Sequence, residues 1–243
     1  MTVLLAAAAC VGFAALIAGA TGFGAALVAT PLMLLVGVGV TEAVVINLFV
    51  GLATRVAAAY QLRAHMDVRR VLLLGGAAIP TAWLGALTVS MMPEDVLKPA
   101  VGALTILCGI AMALPSRREP VAPSTGATLA VGALGGYLST TTSVNGPPPV
   151  LLLSRAKVAP MTFIADLAGY FVIANLASLA LLAHYGDLSL SGTGPMLGAC
   201  LAVALVANQV GIAIAQRLPV ALFRAGVVTM VVASGAITIA VAA

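Results

Sequence analysis

Apolar residues fill most of this chain in long runs, which glycine, proline or charged residues interrupt at a few places. Runs of about 20 apolar residues are typical of helices that cross a lipid bilayer. The pattern therefore predicts two similar series of helices joined by a linker. We expect a broken segment over 2–38 with spans near 41–62, 70–91 and 95–114, a linker at 115–124, a second broken segment over 126–153, and spans near 161–183, 192–216 and 221–242.

The composition places these helices in a membrane. Of the 243 residues, 62% are hydrophobic and 7% are charged, and the mean hydropathy is +1.18. Soluble domains carry about a quarter charged residues, so this chain cannot cover itself with a solvated surface. The net charge of +4 is carried by few residues and is better interpreted as information on topology than as affinity for nucleic acid.

Residues recur at fixed displacements between the two halves, which indicates a duplication. The displacement is 126 positions for Gly85, Pro93 and Gly109 against Gly211, Pro219 and Gly235, and 120 positions for Asp67 against Asp187. Each half also opens with an apolar segment that is interrupted at a matching place. Paired interruptions of this kind are a strong sequence pointer to a secondary transporter and to its binding site.

The basic residues predict how the halves are oriented. Nine of the 11 lie in loops that we assign to the cytoplasm, namely Arg63, Arg69, Arg70, Arg117, Arg118, Arg155, Lys157, Arg217 and Arg224. Both ends of the second broken segment then lie inside, so this segment must enter the membrane and return. Two legs plus three spans give an odd number of crossings, and an odd number inverts the second half relative to the first.

The predicted fold is an all-α integral membrane protein of two inverted repeats, each a broken or re-entrant helical hairpin followed by three transmembrane helices. The repeats cover residues 1–114 and 125–243, and the linker at 115–124 is cytoplasmic. From Gly24 to Gly37 the chain has room for only about 20 Å of helix, less than the ~30 Å hydrocarbon core. We expect a multi-pass protein of the inner (plasma) membrane.

The first interruption, Gly19-Ala-Thr-Gly-Phe-Gly24, is a candidate anion site. A helix that begins after Gly22, Phe23 and Gly24 leaves backbone N–H groups without intrahelical partners, and its N-terminus carries partial positive charge. The alternative is that these small residues only allow helices to pack closely.

The second interruption combines hydroxyl groups with an amide side chain. Thr141, Thr142 and Ser143 stand beside Asn145 and Gly146, and three prolines follow. The prolines are expected to stop the preceding helix and to push the residue before each of them out of the α region. Such donors suit a small oxyanion, although the hydroxyl groups could instead bond to carbonyls of their own helix.

Arg55 lies within the apolar part of its span, where a cation is costly and is a candidate functional residue. A guanidinium binds a sulfonate or carboxylate through two parallel hydrogen bonds. The alternative is that Arg55 forms a structural pair or that its long side chain extends toward the membrane surface. Asn175 occupies the matching place in the second half, displaced by 120 positions.

Other polar residues within the spans have weaker assignments. Asn47, Asn208 and Gln209 could line a cavity or join neighbouring helices. Asp166, one turn inside its span, is either a proton-coupling carboxylate or a helix-start carboxylate, and the second is favoured. Cys10, Cys108 and Cys200 have no metal-ligand spacing. No catalytic arrangement can be assembled, so we expect neither an enzyme nor a bound cofactor or metal.

The interruptions carry a resemblance to a known family. Gly19 to Gly24 followed by Pro31-Leu-Met-Leu-Leu35, and Gly135 to Pro148 followed by Leu151-Leu-Leu153, resemble the duplicated signature of the TauE/SafE family of sulfite and organosulfonate exporters, also called the toluene-sulfonate uptake permease family. The resemblance covers the chain from end to end. It implies a permease of two inverted repeats that moves small sulfur-containing or carboxylate anions.

These observations predict a membrane transporter of small sulfite-like or sulfonate-like anions, an exporter that works by alternating access. Its expected partners are a small anionic solute and the lipid bilayer, without nucleic acid, and a homodimer is an open alternative. Two other functions stay open: a membrane assembly partner that transports nothing, and a carrier of a neutral or cationic solute.

Overall fold

The computed structural model describes residues 2–88, 107, 110, 123–141, 145–185 and 194–242, and these residues form helices joined by short turns, with no strand among them. A turn of 3-10 helix at Arg63–His65 joins the third helix to the fourth. Nearly all of the predicted span at 95–114 and of the predicted linker lies outside the described residues. The helices are α1 (Thr2–Thr21), α2 (Ala25–Leu35), α3 (Val40–Gln61), α4 (Val68–Thr88), α5 (Thr125–Thr141), α6 (Pro147–Arg155), α7 (Pro160–Tyr185), α8 (Gly194–Arg217) and α9 (Val220–Ala242).

Four of the described helices, α1, α4, α7 and α8, are long and apolar enough to cross a membrane. Large hydrophobic side chains also point outward, as Leu72, Ile79 and Trp83 do on α4. An apolar outer surface of this kind is stable in lipid and unstable in water. The prediction of an all-α integral membrane protein is therefore confirmed.

The helical segment that opens each half is broken, as predicted. In the first half, α1 ends at Thr21 and α2 begins at Ala25, with Gly22 and Gly24 both at φ 87°. This left-handed conformation is readily adopted by glycine and is costly for other residues. Because α2 has 11 residues, it extends about 16 Å and is too short to cross the hydrocarbon core.

The second break differs from the prediction in its backbone. Gly146, which precedes the first proline, has φ −75° and ψ −49° and lies in the α region. The three prolines then form the first turn of α6. The prediction that they push the preceding residue out of the α region is wrong here, since Gly146 has no Cβ to meet the proline ring. First-turn positions of a helix also need no N–H donor.

The two halves pack through reciprocal helix pairs. The most extensive contacts join α1 to α8 and α4 to α5, so the first helix of each half lies against the fourth helix of the other. At the first crossing, Gly19 meets the backbone carbonyl of Asn208. At the second, the Thr140 hydroxyl donates to the Ala82 carbonyl at 2.8 Å. Asn208 follows Ala82 by the 126 positions of the sequence repeat, so the crossings use matching positions.

Contacts between α3 and α7 follow an antiparallel register. Arg55 of α3 lies against Phe171, whereas Met66 and Asp67, in the connection that follows α3, contact Gly169 and Asp166, which come earlier in α7. Helices α3 and α7 stand at matching places in the two halves. Opposite directions at matching places are what an inverted repeat requires. The inversion itself stays a prediction.

Two apolar clusters make up the described core. One surrounds α7 and includes Phe23, while the other joins the first half of α1 to α2 and the start of α3. In both α3 and α8, the buried residues near the start belong to the second cluster, and those near the end belong to the cluster around α7. Buried polar side chains lie between these two sets of residues. We call these polar residues, together with the buried hydroxyl that precedes the first break, the polar layer: Thr21, Thr54, Arg55 and Asn208.

The close crossing of α1 and α8 predicts a loss of stability in Gly19→Ala. An added Cβ would overlap the Asn208 carbonyl, which belongs to the backbone and cannot move aside. We expect the free energy of unfolding in detergent to fall by about 1–3 kcal/mol. The control is Gly51→Ala in α3, where a Cβ meets nothing within 4 Å, and which should be neutral or stabilising. Equal stabilities of the two variants would contradict the packing described.

Candidate functional site

The backbone of the first break is held by side chains from two helices. The Thr21 hydroxyl lies 2.8 Å from the carbonyl oxygen of Ile17 and 3.1 Å from that of Phe23. Nη1 of Arg55 donates to the carbonyl of Gly22 at 2.8 Å. Carbonyl groups that leave a helix within a membrane need partners of this kind, because no water is present to bond them.

Arg55 is the central cation of the described core. Its side chain is 5% exposed, and its guanidinium carbon lies 5.2 Å from the centroid of the Phe171 ring. Among the described residues no carboxylate forms an ion pair with Arg55, so its charge is not compensated there. A guanidinium has five N–H donors, and the Gly22 carbonyl takes one of them. The remaining fork can bind an oxyanion.

The two breaks meet at Phe23. This side chain is 1% exposed, and a Cβ built on Gly146 would lie 3.5 Å from its ring. The same Cβ would lie 3.6 Å from the Phe171 ring, and the guanidinium of Arg55 lies over that ring. Phe23, Arg55, Gly146 and Phe171 therefore form one group in which both breaks take part. That Phe23, Arg55 and Gly146 bind a substrate stays a prediction.

The two breaks offer different donors. Helix α2 follows Gly24, which provides no side-chain cap, so the first amide groups of α2 lack intrahelical partners. The first turn of α6 consists of prolines, which have no N–H, and the next amide, Val150, already bonds Gly146 at 3.1 Å. An anion can thus obtain amide donors from the start of α2, whereas at α6 it must rely on side chains.

A chain of polar side chains extends from the second break to α7. Nδ2 of Asn145 donates to the Ser139 hydroxyl at 3.4 Å, and the Ser139 and Ser178 hydroxyl oxygens are 2.8 Å apart. Beside Asn145, the hydroxyl of Tyr170 is buried against Gly135 and has no partner among the described residues. Hydroxyl groups at membrane depth usually find partners, so Tyr170 is a candidate ligand group.

The remaining predicted residues are placed less completely. Thr141 ends α5, and nothing is described of its side chain. Thr142 and Ser143 lie outside the described residues. Asn175 follows Phe171 by one helical turn, so it lies on the same face of α7 as the group around Arg55. Gly24 faces α9, where a Cβ built on it would lie 3.0 Å from Cε of Met230.

Asp166 joins the two halves at the start of α4. It is fully buried, accepts the backbone N–H of Asp67 at 2.8 Å, and forms an ion pair with Arg70. Asp67 in turn caps α4 by accepting the N–H of Arg70 at 3.1 Å. The Asp166 carboxylate of α7 therefore accepts a backbone N–H at the N-terminus of α4, a helix of the other half. The sequence did not predict this contact.

Two aromatic residues of this site, Tyr170 and Phe171, were missed by sequence reasoning. Phe171 provides the ring under Arg55, and Tyr170 brings a hydroxyl to the second break. The sequence feature that could have indicated Tyr170 is a tyrosine near the middle of an apolar span. Tyr is more common at membrane interfaces, so a mid-span position indicates a buried use of its hydroxyl.

The buried ion pair predicts a large loss of stability in Asp166→Ala. This variant leaves the Asp67 amide without its acceptor and the Arg70 guanidinium with Asp67 as its one remaining described ion-pair partner, and we expect the free energy of unfolding to fall by about 3 kcal/mol. The comparison is Asp67→Ala, whose side chain is 41% exposed and whose loss removes a helix cap, at a cost of about 1 kcal/mol. Chemical unfolding in detergent measures both, and a smaller effect for Asp166→Ala would contradict its role in joining the halves.

The sequence matches the model of a known protein family. The family model for the sulfite exporter TauE/SafE matches residues 6–238, which include both breaks and the whole polar layer. Neither a search of curated proteins nor a search of solved structures gives a match. The members of the matching family are transporters, and the four long apolar helices fit that role. The chain is therefore a multi-pass membrane protein that belongs to the TauE/SafE family of sulfite exporters.

Proposed function

We propose that this protein moves a small sulfur-containing oxyanion, sulfite or an organosulfonate, across the membrane. The observation that carries the proposal is Arg55, a buried cation that lies where the two breaks meet. The family match supports the same class of substrate.

Charge and geometry at Arg55 favour an oxyanion. A buried guanidinium is costly unless a negative group compensates it. Sulfite, a sulfonate or a carboxylate offers oxygens spaced for two parallel hydrogen bonds to the guanidinium fork. The Phe171 ring lies against the cation and excludes water on that side, which strengthens the remaining electrostatic attraction. A neutral or cationic solute would leave the charge uncompensated.

The two breaks complete the proposed site. Gly22, Phe23 and Gly24 bring the amide groups of α2 and its partial positive charge toward the anion. From the second half, Thr141, Thr142, Ser143, Asn145 and Gly146 supply hydroxyl and amide donors, and Asn175 adds a further amide. We assign Asp166 to the contact between the halves rather than to proton coupling, because its oxygens already bind Arg70 and the amide of Asp67.

Alternating access is the proposed mechanism. The two most extensive contacts, α1–α8 and α4–α5, each join the first helix of one half to the fourth helix of the other, so the halves meet along two matching interfaces. Inverted halves that rock about a shared central site expose that site to each side in turn. The antiparallel register of α3 and α7 supports the inversion.

Export is the proposed direction. In the inner membrane of a cell whose interior is negative, the potential drives an anion outward with about 2.3 kcal/mol per charge per 100 mV. Outward movement of the anion then needs no coupled ion. With the linker at 115–124 in the cytoplasm, the basic loops lie on the side from which the anion enters.

Arg55→Ala tests the site. We expect sulfite flux in proteoliposomes to fall by about 100-fold or more, because the variant loses two charge-assisted hydrogen bonds to the anion. Arg55→Lys keeps the charge but loses the fork, and should retain an intermediate flux. Arg63→Ala is the control, since it removes an arginine that is exposed beside Tyr60 outside the core.

Because Arg55 also binds the Gly22 carbonyl, the thermal stability of each variant is measured alongside its flux. Unchanged sulfite flux in a folded Arg55→Ala variant would disprove the proposed site. A wild-type protein that moves no anion would favour the assembly-partner function. Flux of a neutral or cationic solute in its place would favour the other alternative.

The inversion predicts that matching turns lie on opposite sides of the membrane. Ala64, between α3 and α4, and Gly194, at the start of α8, mark these turns in the two halves, and both are exposed. After replacement of the native cysteines by alanine, we expect a membrane-impermeant maleimide to label Ala64→Cys from the cytoplasmic side and Gly194→Cys from the other. Labelling of both from one side would show that the halves are not inverted.

A further inference from the structure

One buried side chain of the polar layer has no assigned use. Asn208 in α8 is 1% exposed, and neither its Nδ2 nor its Oδ1 has a hydrogen-bond partner among the described residues. Buried amide side chains are normally bonded at both ends, because an unpaired donor or acceptor in an apolar interior is costly. An amide that is unpaired at both ends calls for a partner with both an acceptor and a donor.

The position of Asn208 places it at the first break. Its backbone carbonyl meets Gly19, one turn before Gly22, whose own carbonyl binds Arg55. On α8, Ala204 belongs to the apolar cluster at the start of α1, and Ile212 belongs to the cluster around Phe23. Asn208 thus lies between the two clusters, at the junction where Arg55 lies on α3.

The matching residue in the other half strengthens the case for a ligand role. Ala82 stands at the equivalent place in α4, and its backbone carbonyl is bonded by Thr140. Alanine therefore fits this crossing, so packing alone does not call for an amide side chain at Asn208. Of these two matching positions, only Asn208 provides a side-chain donor and acceptor.

We propose that Asn208 is a specificity-determining ligand of the transported anion. Its Nδ2 donates to an anionic oxygen, and its Oδ1 accepts a hydrogen bond from a donor group that the substrate carries besides its charged oxygens. The favoured substrate is then a singly charged sulfur oxyanion with a hydroxyl or similar donor, in preference to a purely alkyl sulfonate of the same size. This inference rests on the proposed function.

Two permanently charged sulfonates of equal size test the preference. Isethionate ends in a hydroxyl group, whereas propanesulfonate carries a methyl group in its place, and both have one negative charge. We measure how strongly each inhibits sulfite flux in proteoliposomes. For the wild-type protein we expect isethionate to inhibit at a concentration about tenfold lower, because propanesulfonate leaves Oδ1 buried and unpaired.

Asn208→Ala should bring this ratio close to one, mainly by weakening inhibition by isethionate. The matched control is Gln209→Ala, which removes an amide from the next residue of α8, outside its buried stripe, and should leave the ratio unchanged. Asn208→Ser keeps a donor and an acceptor and should retain part of the preference, which covers the case in which the alanine variant fails to fold.

The outcomes separate the inference from the proposed function. Equal inhibition by the two sulfonates in the wild type, or the wild-type ratio in Asn208→Ala, would overturn the role of Asn208 while sulfite flux upholds the transport function. A lack of inhibition by either sulfonate would overturn that role as well. Absence of sulfite flux from the wild-type protein would overturn the proposed function, and this inference with it.

Discussion

The structure depends on how the carbonyl groups of an interrupted helix are bonded inside a membrane. At the first break, the carbonyls of Gly22 and Phe23 leave the helical pattern in a medium that offers no water. Arg55 binds one of them and Thr21 the other. The same guanidinium that stabilises the break therefore remains buried as a cation next to it, so one contact both satisfies the broken backbone and provides the cation of the proposed anion site.

A single helix organises the rest of the core around that site. Helix α7 carries Phe171 under Arg55, Tyr170 at the second break and Asp166 at the start of α4. Its residues also dominate the apolar cluster that includes Phe23. Since α7 contacts both breaks and the capped end of α4, a movement of one half against the other must change contacts on this helix. The ion pair of Asp166 with Arg70 holds those contacts at one end of the molecule.

The two halves are similar in architecture but not in chemistry. Both use a broken segment, and both place their first helix against the fourth helix of the other half. The first break presents amide groups at the start of α2, whereas the prolines that begin α6 remove them from the second. Likewise Arg55 is matched by Asn175, and Asn208 by Ala82. The proposed site between such halves would present unlike groups to the two ends of a substrate.

The sequence by itself determined the membrane class, the places of both breaks, the buried cation and the family. These properties depend on composition and on local backbone chemistry, which the order of residues specifies directly. Only the tertiary structure decided that Arg55 reaches the Gly22 carbonyl, that Phe171 lies beneath it, and that Asp166 caps a helix of the other half. Such contacts join residues far apart in the chain, and they depend on how each helix is rotated and where it crosses its neighbours. Hydrophobicity in an apolar span is nearly uniform around the helix, so the sequence pattern does not reveal which face turns inward.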